Sequence, residues 1–106
     1  MTEHLDYLQQ LGVDAIWLPP IYPSPQVEFG YDISDHEAVD PQYGTFPDFD
    51  RLLQQAEKRN LRIILDMVLN HTSDKNAWFV ESASSRTNAK GDWYVWNDGC
   101  RQRTQI

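Results

Sequence analysis

The sequence predicts an α/β fold built around one βαβ unit, and three observations carry that reading. Two short apolar runs, residues 13–18 and 61–68, read as buried strands. Between them Phe49, Leu52, Leu53 and Ala56 recur at i, i+3, i+4 and i+7, the stripe of an amphipathic helix. The second run leads into Asp66, Asn70 and His71. A carboxylate is costly to bury unless it is paired or used, and the end of a parallel strand is where such folds keep their chemistry.

The elements follow in order. Thr2 is expected to cap a helix over residues 3–11, with Leu5, Leu8 and Leu11 on one side and Gly12 as the stop. The first strand ends at Pro19-Pro20, since proline cannot donate to a ladder. Residues 21–44 show no helical period and hold Pro23, Pro25, Gly30, Pro41 and Gly44. A connection of that length is usually functional or disordered, and this one is too aromatic for a disordered linker. Thr45, Pro47 and Asp48 form a helix start resembling a capping box. Lys58 and Arg59 suit the helix C-terminus, and Asn60 suits the stop. Strand, crossover helix and strand imply parallel pairing with a right-handed connection. After Thr72 the texture turns polar and aromatic, and no third strand–helix pair is predicted.

Composition narrows the function. Nine Lys and Arg against 16 Asp and Glu leave a formal charge of −7. Nucleic acid and anionic membranes select basic surfaces, so neither is expected as a partner. No basic start followed by an apolar core marks a signal peptide, and no run reaches membrane-span length. Cys100 has no internal disulfide partner. A cytoplasmic location is the resulting expectation. Asp35 and His36 are too few ligands for a metal site.

Asp66-Met67-Val68-Leu69-Asn70-His71 resembles the D-x-x-x-N-H signature of the α-amylase superfamily, glycoside hydrolase family 13. The match is longer than one motif. Residues 12–20 resemble the second barrel strand of that family, Phe29-Gly30-Tyr31-Asp32-Ile33 its sugar-contacting loop, and residues 43–49 the next helix start. His71-Thr72-Ser73-Asp74, Trp78-Phe79, Ser84-Ser85-Arg86 and Asp92-Trp93-Tyr94 resemble the α-glucosidase and oligo-1,6-glucosidase branch. The resemblance spans roughly residues 5 to 99.

The resemblance implies a partial eight-stranded (β/α) barrel of the TIM type, from the first helix to the third strand. Residues 1–72 would be the N-terminal part of the barrel, 73–99 the start of the domain inserted after strand three, and 100–106 an atypical tail. It implies a fragment of a retaining glycoside hydrolase acting on α-glucosidic bonds, with an oligosaccharide as the parent's substrate and the remaining barrel segments as partners. Asp32 would bond glucose hydroxyls, Tyr31 would present a ring face, His71 would donate to a hydroxyl, and Asp66 would support the site from behind. No cofactor is implied, although Asn70 stands where calcium-binding relatives have an ion ligand. The nucleophile and the acid/base lie in family segments that this chain lacks, so it is expected to be inert alone. A trehalose-forming or other transglucosylating parent, and a non-catalytic sugar-binding or assembly piece, are the alternatives.

Read without the family, Tyr31 and Asp32 fit a Gly-led turn, and Trp78, Trp93 and Trp96 fit packing. Some positions depart from the branch: His36 stands where a Tyr is usual, and Asn76-Ala77 replace a common His-Pro. Residues 100–106 do not resemble the family, and a frame change or an aberrant end near position 100 is one hypothesis; Met1 falls inside the expected first barrel helix.

Overall fold

The computed structural model describes residues 1–97 and the backbone of 104–105. The expected tail thus lies almost wholly outside the described residues. A 3-10 turn over Thr2–His4 runs into α1 (Leu5–Leu11). Then come β1 (Ala15–Leu18), α2 (Phe46–Lys58), β2 (Arg62–Leu65), α3 (Ala77–Ser84), β3 (Trp96–Asn97) and β4 (Thr104–Gln105). β1 and β2 pair in parallel, Ala15 opposite Arg62 through Leu18 opposite Leu65, which is the predicted βαβ unit. β3 and β4 form a separate antiparallel pair. No helix among the described residues is long and apolar enough to cross a membrane.

The local stops hold. Gly12 ends α1 at φ 92°, a conformation with no steric cost for glycine. Thr45 accepts from the Asp48 amide, and Asp48 accepts from the Thr45 amide at 2.9 Å, a complete capping box. Asn60 adopts φ 57° just beyond α2. Arg59 Nε donates to Asp6 Oδ1 at 2.6 Å and ties α2 back to α1.

Four expectations change. Thr2 is not a cap: it opens the 3-10 turn, whose N-cap Met1 makes no side-chain bond. The strands are shorter than the apolar runs. Asp66 N still donates to Leu18 O at 3.1 Å, but Pro19 and Pro20 then end the partner strand, so β2 has nothing further to pair with. The strands are also not buried on both faces. Leu5, Leu18, Leu52, Ala56 and Leu61 form a core on the helix side, with Ile16 and Ile63 packed against it. Trp17 is 53% and Ile64 50% exposed on the other side. Finally, α3 is a helix with no amphipathic stripe in the sequence. Asn76 starts it by accepting from Trp78 N at 2.9 Å.

Residues 21–44 fold on their own hydrogen bonds rather than on regular structure. Ser34 N donates to Pro23 O and Asp40 N to Ile21 O, each at 2.8 Å. A second tie runs to the segment after β2: Ser73 N donates to Ile33 O at 2.9 Å, and Asn76 Nδ2 to the same oxygen at 3.3 Å. This tie positions the candidate site.

Candidate functional site

The site forms where the long loop meets the C-terminal end of β2. Residues 28–31 make a tight turn, with Tyr31 N donating to Glu28 O at 3.1 Å. Its two central residues, Phe29 (φ 56°) and Gly30 (φ 99°), are both left-handed. That is ordinary for glycine and strained for phenylalanine. What holds the strain is Asp32. It is 8% exposed, and it accepts from Ser24 Oγ at 2.8 Å and from the Val27 and Glu28 amides at 3.1 Å each. Burial pushes its carboxyl upward, but the Ser24 hydroxyl and the loop amides outweigh that and hold it below the usual range.

The turn delivers Tyr31 to the strand end. Its hydroxyl donates to Asp66 Oδ2 at 3.1 Å, across 35 residues of sequence. Loss of solvent around the hydroxyl, then the carboxylate beside it, raises the Tyr31 pKa, so it stays a donor at neutral pH. His71 Nε2 lies 3.0 Å from Tyr31 O. A carbonyl only accepts, so Nε2 carries hydrogen. Glu28 Oε2 stands 4.0 Å from the same Nε2.

The structure therefore brings together Tyr31, Asp66 and His71, three of the sequence-predicted residues. Asp32 is adjacent in sequence but turned inward, with both oxygens engaged by its own loop. Glu28 was missed by sequence reasoning. The one available signal was its position two residues before Gly30 in a loop already marked by its aromatics. Asn70 is exposed and lines a cavity of about 430 Å³ with His36, His71, Trp78, Trp93 and Tyr94. Among the described residues no three His, Cys, Asp or Glu side chains converge. Trp78 packs on Trp93 at a centroid distance of 5.7 Å, and Phe79 packs on Tyr94 at 5.2 Å and on Trp96 at 5.3 Å.

Comparison with known proteins gives this geometry a family. The model of the alpha amylase catalytic domain matches residues 1–105. A probable alpha-glucosidase of Rhizobium meliloti (strain 1021) is 53% identical over 98 residues, 92% of this chain and 18% of its own length. The trehalose-6-phosphate hydrolase of Escherichia coli (strain K12) is 56% identical over 99 residues, 93% of this chain and 18% of its own. The crystal structure of a trehalulose synthase from Pseudomonas mesoacidophila MX-45 superposes with a TM-score of 0.91 at 49% identity, covering 96% of this chain and 18% of that one. The chain thus spans under a fifth of the length of these relatives. With the strand-end Asp66 joined to Tyr31, and a family match over nearly its whole length, the chain belongs to the α-amylase catalytic-domain family of glycoside hydrolases, in its α-glucosidase branch.

Proposed function

We propose that this chain is the sugar-recognition corner of a retaining α-glucosidase-type enzyme, a partial (β/α) barrel followed by the start of an inserted segment at residue 73. The observation that carries this is the Tyr31–Asp66 hydrogen bond at the end of β2, with His71 and Glu28 beside it. Asp66 fixes the Tyr31 ring by accepting from its hydroxyl. The ring offers a flat face to a pyranose, Glu28 accepts from sugar hydroxyls, and His71 adds a polar contact. Asp32 acts through the loop, by holding the turn that presents Glu28 and Tyr31.

Retaining hydrolysis needs two carboxyl groups about 5 Å apart across the scissile bond. Asp66 is engaged by Tyr31 and Asp32 by its own loop, so in this reading both position the residues that recognise the sugar, and neither cleaves it. Terminal α-glucose of a short oligosaccharide is the ligand this reading assigns to the whole protein. A transglucosylating parent is the second reading, supported by the TM-score of 0.91 to a trehalulose synthase.

The test is an NMR titration of the 106-residue chain with methyl α-glucoside, alongside an assay on a chromogenic α-glucoside. Shifts at Tyr31 and His71 without turnover are expected. Turnover at enzymatic rates would overturn the division of labour, and a titration silent at both residues would overturn the sugar reading.

A further inference from the structure

We propose that His36 is a positioning residue for this site, and that it acts through its flat face rather than through its nitrogens. The inference rests on the sugar-recognition reading for its functional meaning and on independent geometry for its mechanism. The His36 ring stacks on Trp78 at a centroid distance of 5.3 Å and an interplanar angle of 7°. Tyr22 lies tilted on it at 6.1 Å. Tyr22 and His36 belong to the long loop that carries Glu28 and Tyr31, whereas Trp78 lies in the first turn of α3, downstream of His71. The stack therefore joins the two chain segments whose meeting creates the site.

The ring nitrogen supplies the second argument. His36 Nδ1 is the one buried side-chain polar atom among the described residues without a hydrogen-bond partner. A buried polar atom left unpaired is destabilising, so a residue retained for hydrogen bonding would not be placed this way. What the position uses is an aromatic plane. The same seam holds the two hydrogen bonds on Ile33 O from Ser73 and Asn76, so the stack and the bonds form one latch. Opening it would release Tyr31 from Asp66 and His71 without touching the β1–β2 ladder.

Hydrogen exchange of the full chain tests this with two variants. In H36A the Ser73 and Tyr31 amides should exchange about tenfold faster, while the Arg62 and Asp66 amides of the strand seam keep their rates. Affinity for methyl α-glucoside should fall severalfold. H36F, which restores the plane and removes the orphan nitrogen, should return both to parent values or better. Unchanged exchange at Ser73 in H36A would overturn the proposal, as would an equal acceleration at Arg62 and Asp66, the sign of general unfolding. H36F behaving like H36A would also overturn it, because the nitrogens would then matter. If the parent chain binds no glucoside, the sugar reading fails, and the exchange rates still decide the latch.

Discussion

At the scale of single residues, the candidate site is held by two buried polar side chains, Asp32 and Asn76. Asp32 satisfies a hydroxyl and two amides at once. Asn in its place keeps the size but turns one acceptor oxygen into a donor facing another donor. Asp32→Asn should cost about 1–3 kcal/mol of loop stability, read as faster exchange of the Val27 and Glu28 amides. The pH dependence has a definite sign. A carboxyl held below its unfolded value of 3.8 stabilises the fold above that pH, and the contribution is lost as pH falls through the folded pKa. The Val27 and Glu28 amides should therefore keep full protection above pH 3.8 and lose it progressively as pH falls through the lower folded pKa. Protection that rises as pH falls below 3.8 would contradict this. Asn76 is 2% exposed and works at both ends, capping α3 with its oxygen and bonding Ile33 O with its nitrogen. Asn76→Ala should cost about 2 kcal/mol in local opening of α3, since it removes a cap and a buried bond together.

Among the elements, α2 is the best specified, because its signals are all local. Its capping box sits beside Gly44, at φ 135°, where a Cβ would lie 2.8 Å from Asp48 Oδ2. Gly44→Ala should displace that carboxylate and remove half of the box, costing about 1–2 kcal/mol. Thr45→Ala, which keeps the backbone, should cost about 1 kcal/mol. Exchange in the first turn of α2 separates the two, and an equal or smaller effect of Gly44→Ala would refute the steric argument. α3 is the opposite case. It has one strong cap and no amphipathic stripe, so its place is set by Trp78 and Phe79 packing against rings from other segments.

For the whole molecule, the helices cover only one side of the parallel pair. The radius of gyration is 18.2 Å, against about 13 Å for a compact domain of this length. Trp17 and Ile64 stand open beside β1 and β2, and Met67 and Leu69 beyond the strand end are 70% and 84% exposed. An open parallel edge with bare apolar side chains invites association. The 106-residue chain should therefore bind a hydrophobic dye and self-associate in sedimentation velocity as its concentration rises. A chain that binds no dye and stays monomeric at every concentration would contradict this.

By itself the sequence determined the βαβ unit, the stops at Gly12 and Asn60, the Thr45–Asp48 box and the family of the strand-end motif. Each is written within a few consecutive residues, as a period, a cap or a short motif. Only the tertiary structure decided that Tyr31 meets Asp66, that Glu28 reaches His71, that Asp32 turns inward and that His36 lies on Trp78. Those contacts join residues up to 43 positions apart through a loop of no regular period, whose path is set by hydrogen bonds on Asp32 and Ile33 O. The strand lengths belong to the same class. β2 stops at Leu65 because its partner meets two prolines, not because its own apolar run ends there.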